Sequence, residues 1–300
     1  MIALSRRRFI AISAAVLAAG PSRAAPARRW TGVALGARAS ITLAHPDADR
    51  LVAAARDEIA RLEAIFSLYR RDSDLSRLNR DGALDAPPLE LVECLGIAGA
   101  VHAATGGAFD PTVQPLWSAY AEAFAGGRAP DEAVLASARS RVGWEAVEVT
   151  PGRVAFARQG MALTLNGIAQ GYIADRVTHL LETEGLGDIL VDTGELRALG
   201  GMPGGGDWIV HLPEGRRTGL RDRALATSAP LGTVFDAEGR VGHILDPRSG
   251  RPASASGPSI TVTAPTAALA DALSTALCLL DDQDGEAALG AFRRCRRIAG

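Results

Sequence analysis

Several of the usual anchors for a functional reading are missing from this 300-residue sequence. Its three cysteines, Cys94, Cys278 and Cys295, are an odd number with neither a CxxC pair nor zinc spacing, which excludes a zinc ribbon and a disulfide-stapled scaffold. It has no GxGxxG, no GxxxxGK[ST] and no lysine, so neither a Rossmann site nor a P-loop is indicated. HExxH is absent, and no Ser-His-Asp order surrounds a nucleophile elbow. The longest leading apolar run, Ile10 to Gly20, has eleven residues, too few to cross a bilayer. Positive charge is not in excess either: the formal net charge of −2 argues against nucleic acid as a partner.

What is present begins with a targeting pattern. Ser5-Arg6-Arg7-Arg8-Phe9-Ile10 precedes the apolar run, and small residues follow around Ala24-Ala25. This predicts a twin-arginine export signal over 1–25 and one mature unit over 26–300, periplasmic and without stable membrane insertion. Loss of Arg6, Arg7, Arg8 and Arg23 would take the net charge to about −6. Proteins exported by this route fold before crossing, often around a cofactor, which hints at a bound ligand. Cys94 and Cys278 sit in apolar helical patterns and are expected to be buried, whereas Cys295, among arginines, is expected to be an exposed thiol.

No repeat or low-complexity linker divides the mature chain. Periodicity predicts one strand over Trp30–Leu43 with a bulge at Gly36, then helices over Asp47–Phe66, from Pro87-Pro88 to Thr105, and over Asp131–Val142. Val147–Phe156 reads as a hairpin, and Val154–Leu165 as a strand-like run into a helix from Gly171 to Glu184. Strands are expected at Asp188–Asp192, Leu196–Leu199, Trp208–Leu212, Ala224–Thr227 and Ser259–Thr263, and a last helix at Thr266–Leu280. Strands and helices interleave without a βαβ rhythm, so the class is α+β.

Four places could carry chemistry. Gly167 and Gly171 flank a turn into a helix, where free amides favour an anion, although an ordinary strand-to-helix turn explains them as well. Asp271, Ser274 and Thr275 share one helix face and, with a backbone carbonyl from a glycine turn, suit a hard cation such as Mg²⁺; a first-turn acid serving the helix dipole is the plainer reading. His243, fixed by the glycine, aspartate and proline around it, could act as a general base, or be merely solvated. Asp110 before Pro111 is a tight-turn acid that an Asx turn also accounts for.

Taken in series, SLYRRDSDLSRLN, GAFDPTV, LNGIAQGYIADRV, LVDTGE, ALATSAP, HILDPRSGRP and ADALSTAL resemble the ApbE family of FAD:protein FMN transferases over nearly the whole mature chain. The Gln170-Gly171-Tyr172 form is similar to exported members that serve the nitrous oxide reductase electron-transfer system. The resemblance implies two intimately joined α+β lobes related to the T-fold, with FAD in the cleft between them. It implies an enzyme that uses Mg²⁺, with Mn²⁺ equally acceptable to oxygen ligands, to cleave FAD to AMP and attach FMN by a phosphoester to a Thr or Ser of a target redox protein bearing a flavinylation motif. By motif position, the metal falls to Gly167 (through its carbonyl), Asp271, Ser274 and Thr275. FAD contacts fall to Leu35, Tyr69, Ala108, Phe109, Asp110, Thr164, Gln170 and Ile244, and the base to His243. The flat face of Tyr69 suits a ring system.

Three departures stand out: Gln170 where many relatives have lysine or glutamate, Thr164 where others have aspartate, and Leu35-Gly36 in place of Met-Gly. Two other readings use the same residues, a metal-dependent FAD pyrophosphatase with water as acceptor and a non-catalytic periplasmic flavin carrier. The intact Asp271, Ser274 and Thr275 set speaks against the carrier, because storing FAD needs no metal at its pyrophosphate.

Overall fold

A computed structural model describes residues 27–298; the predicted export signal lies outside them. The first departure from expectation comes at once. Leu35 and Gly36 both adopt positive φ (47° and 81°), so the chain reverses, and the expected single strand is a hairpin of β1 (Arg28–Ala34) and β2 (Ala37–Leu43). Helix α1 (Ala48–Phe66) follows as predicted, burying Leu51, Ala55, Ile59, Leu62 and Phe66 along one stripe. Ser73 caps α2 (Asp74–Asp81) by accepting the Ser76 N–H at 3.1 Å, and Gly82 closes it in the left-handed conformation.

After β3 (Ala83–Asp85), α3 (Leu89–Ala104) starts behind Pro88 as predicted. Helix α4 (Gln114–Ala125) has no counterpart in the sequence reading, although Leu116, Trp117, Tyr120 and Phe124 fall on one face of it and join one cluster. Helix α5 (Glu132–Arg139) and the hairpin of β4 (Val147–Thr150) and β5 (Arg153–Phe156) come next. The strand expected over Val154–Leu165 ends at Phe156. Beyond it the backbone is irregular, and side chains hold it: Asn79 grips Leu163 on both sides, donating to its carbonyl at 2.8 Å and accepting its N–H at 2.7 Å.

The frame is a seven-stranded antiparallel sheet. In spatial order it comprises β1, β2, β6 (Ile189–Asp192), β7 (Leu196–Leu199), β10 (Ala224–Ser228), β13 (Ile260–Ala264) and β14 (Arg296–Ile298). Side-chain alternation divides its two faces. Ile41, Ile189, Val191, Ala226 and Val262 join the main core with α1, α6 (Ala169–Thr183) and α7 (Ala267–Leu277). Leu190, Leu196, Ala198 and Leu225 point the other way, under a hairpin of β8 (Trp208–His211) and β9 (Arg217–Leu220) that buries Trp208. Neither β9, α8 (Asp282–Gly290) nor β14 is anticipated by the sequence pattern. The expected exposure of Cys295 is overturned: it is 8% exposed and packs into the main core, just before β14 adds to the sheet edge.

A separate apolar cluster unites Leu116 and Tyr120 of α4, Leu135 and Ala138 of α5, and Leu245. Phe235 joins it, edge-on to Trp117 at 5.3 Å and stacked on Tyr120 at 5.5 Å. This helical lobe also draws in the short pair β11 (Leu245–Asp246) and β12 (Arg251–Pro252), through the bond from the Tyr120 hydroxyl to the Gly250 carbonyl at 3.2 Å.

Candidate functional site

A cleft of about 1300 Å³, counted to its open mouth, lies where the helical lobe meets the sheet and the N-terminal ends of α6 and α7. Those two ends touch backbone to backbone. Any side chain at Gly171 would place its Cβ 2.3 Å from the Ala267 carbonyl oxygen, so only glycine permits this approach. Each helix sends an aspartate to the other's first turn. Asp175 of α6 accepts the Ala267 and Ala268 N–H groups at 2.8 and 2.9 Å, and Asp271 of α7 accepts the Gly171 N–H at 3.3 Å.

The wall on this side is all oxygen. Asp271 is 3% exposed and shares the lining with Thr275 and Gly167, whose backbone runs so close that an added Cβ would sit 3.1 Å from Thr275 Oγ1. Ser274 stands behind the lining, fully buried, 2.7 Å from Ser228 Oγ, and that Ser228 hydroxyl also reaches Thr275 Oγ1 at 3.2 Å. Burial pushes the Asp271 carboxyl well above the usual carboxylate range and Asp175 adds to this, against a single amide bond from Gly171. A buried acid so placed, beside hydroxyls and a backbone turn, fits a hard divalent cation such as Mg²⁺ or Mn²⁺. Among the described residues no group of three or more His, Cys, Asp or Glu is arranged to hold a metal, so oxygens outside the protein's side chains would complete such a shell.

Across the cleft stands His243. Its Nδ1 lies 3.0 Å from the Thr233 carbonyl, which can only accept, so the ring proton sits on Nδ1 and Nε2 is left as a bare acceptor. Burial lowers the pKa of this ring, with the Thr233 bond acting in the opposite direction, and keeps the imidazole neutral near neutral pH.

The third wall carries Ala108, Phe109 and Asp110. Asp110 forms the Asx turn read from its place before proline, accepting the Thr112 N–H at 2.8 Å and its hydroxyl at 2.6 Å. Burial nonetheless raises its pKa, with the Thr112 bonds and nearby His102 pulling it down. Thr164 is held against this wall by its N–H to the Pro111 carbonyl at 2.8 Å, next to the Asn79 grip on Leu163. Gln170 and Ile244 complete the set of sequence-predicted residues that face the cleft.

Leu35 and Tyr69 do not face it. Leu35 packs on the main core with its N–H bonded to Glu63 at 2.6 Å, and Tyr69 is 73% exposed outside the lining. Conversely, Trp117, Asn166, Glu195, Thr227, Ser228 and Thr233 line the cleft without having been singled out. Glu195 and Ser228 close the LVDTGE motif and lie within ALATSAP, so a signal existed, but an acid after Thr-Gly reads as a turn former.

Residues 35–296 match the model of the family described as the ApbE family. The chain is 31% identical over 273 residues to an FAD:protein FMN transferase of Treponema pallidum, covering 80% of this chain and 75% of that one. The corresponding protein of Klebsiella pneumoniae is 27% identical over 259 residues, covering 80% and 73%. Among solved structures, the flavin transferase ApbE from Vibrio cholerae superposes with a TM-score of 0.77 at 25% identity, over 91% of this chain and 93% of that one. The apo flavinyl transferase ApbE of Pseudomonas stutzeri gives 0.77 at 27% identity, over 89% and 88%.

Proposed function

The chain belongs to the ApbE family, and from that premise we infer that it is an FAD:protein FMN transferase whose inter-lobe cleft binds FAD. The observation that carries the reading is that one cleft is lined both by a neutral imidazole with a bare Nε2 and by the buried oxygens of Asp271 and Thr275.

In the proposed reaction a Ser or Thr hydroxyl of a target redox protein attacks the phosphorus on the FMN side of the FAD pyrophosphate. The new P–O bond forms as the bond to AMP breaks, and AMP leaves with the bonding electrons. The hydroxyl proton passes to His243 Nε2, while the Nδ1 bond to Thr233 holds the ring in orientation. A divalent cation, Mg²⁺ in our reading, held by Asp271, Thr275 and the Gly167 carbonyl with Ser274 behind them, would neutralise the charge on the pyrophosphate. Asp110, Thr164, Gln170 and Ile244 position the nucleotide along the remaining walls. The twin-arginine pattern supports placing this reaction in the periplasm, on a target such as a component of nitrous oxide reductase electron transfer; fractionation of cells carrying the Arg6 and Arg7 to Lys variants tests the location.

The decisive assay incubates purified protein with FAD and Mg²⁺, with and without a target bearing a Ser/Thr flavinylation motif. A fluorescent covalent flavin band after denaturing electrophoresis, stoichiometric with AMP and lost with chelator, is expected. AMP and free FMN released equally fast without target would replace the transferase by a pyrophosphatase. Bound FAD with neither product would leave only a carrier.

A further inference from the structure

We propose that Glu195 is a second carboxylate of the cation site, sharing with Asp271 the ion that faces the FAD pyrophosphate. This rests on the cation-assisted reading above and assigns a residue that the motif comparison did not. Glu195 follows the tight turn at Thr193-Gly194 and enters β7 on the wall that also carries Gln170, Ser228, Asp271 and Thr275. It is 8% exposed; its carboxyl accepts one backbone N–H, from Thr227, while its Oε2 has no hydrogen-bond partner.

The other buried acids of this region are each compensated. Asp175 has two amides and the Arg197 guanidinium at 3.3 Å, and Asp110 has Thr112 and His102. Asp271 and Glu195 lie within each other's electrostatic reach, and among the described residues no arginine or histidine enters the surroundings of either. Two carboxyls sunk in one wall without a positive partner carry a desolvation cost that a shared cation would remove. The backbone offers them little escape. The Thr193 hydroxyl is tied to the Gln170 carbonyl at 2.7 Å, and Gly194, at φ +105°, abuts the Gln170 side chain.

The test is Mn²⁺ titration of the purified protein, followed by the electron paramagnetic resonance of free Mn²⁺ in the presence of FAD. Melting curves with and without Mn²⁺ give a second readout. Glu195→Gln is expected to raise the Mn²⁺ Kd roughly tenfold or more. Its metal-free Tm should stay level or rise, since a neutral isostere relieves the pair, and the Mn²⁺-induced shift in Tm should shrink. Glu195→Asp, which keeps the charge, should weaken binding less, and it carries the test if the Gln variant does not fold. Mn²⁺ affinity within twofold of the parent in both variants, with binding lost in Asp271→Asn, would overturn the assignment of Glu195 alone. A parent protein that binds no Mn²⁺ would overturn the cation reading as well. Lowered metal-free Tm with an undiminished Mn²⁺ shift would make Glu195 a structural residue only.

Discussion

Asp175 and Asp271 occupy matching places at the junction of α6 and α7, each reaching the first turn of the other helix, yet their surroundings differ. Asp175 finds two amides within 2.9 Å and the Arg197 guanidinium at 3.3 Å, and its pKa rises only to about 6. Asp271 is more deeply buried, has one long amide bond and, among the described residues, no positive neighbour, and a second acid, Glu195, with one amide bond from Thr227 and a bare Oε2, stands in the same wall. One half of the junction is finished by the protein itself; in the proposed reading the other is finished by a cation. On that reading stability and function are divided between two aspartates that local sequence would treat alike.

Four substitutions break or sharpen that contrast. Asp271→Ala should lower flavin transfer by at least about 10³-fold while leaving the melting temperature unchanged or higher, because it removes a buried acid held by one long amide bond only. In-gel flavin fluorescence and a thermal melt measure the two halves of this statement, and unchanged transfer would sink the metal assignment. His243→Ala, on the opposite wall, should slow transfer about 10²- to 10⁴-fold with FAD affinity nearly constant. Since burial depresses the His243 pKa below its usual value, the parent's acid limb should fall below pH 6.5 and vanish in the variant. Equal loss of FAD binding and rate would make His243 a pocket residue instead.

Asp175→Ala should invert the Asp271 result. It strands two helix amides and the Arg197 guanidinium, so it should cost about 3 kcal/mol, a fall of roughly 5–10 °C in Tm, with any loss of transfer following from instability. Wild-type-like melting would show that the two aspartates are not divided as described. The smallest effect is expected from Tyr69→Ala. Tyr69 is 73% exposed and outside the cleft lining, so FAD affinity by fluorescence titration should change by less than about threefold, and a larger loss would show that the segment Ser67–Asn79 closes over bound flavin.

Much of the frame is legible from local pattern. The stripe of α1, the hairpin over Val147–Phe156 and the helices α6 and α7 all appear where the residues demand them. Local pattern fails where the partner is distant. The strand expected through Leu165 is interrupted because Asn79, 84 residues earlier, captures the Leu163 backbone, and the apolar face of α4, present in the sequence but not read from it, finds its partners in the distant loops around Phe235 and Leu245. Positive φ at Leu35, unusual for a residue with a Cβ, turned an expected bulge into a reversal.

By itself the sequence determined the family, the α+β class, and a set of candidate residues most of which line the cleft, because motif order and periodicity are properties of neighbours along a chain. Only the tertiary structure decided which acids are compensated. It set Asp175 beside Arg197, left Asp271 and Glu195 facing one cleft, drew Ser274 behind Ser228, and kept Leu35 and Tyr69 off the walls. The physical reason is that the state of a carboxyl depends on the charges, amides and water within a few ångströms of it, and those come from segments tens to a hundred residues away.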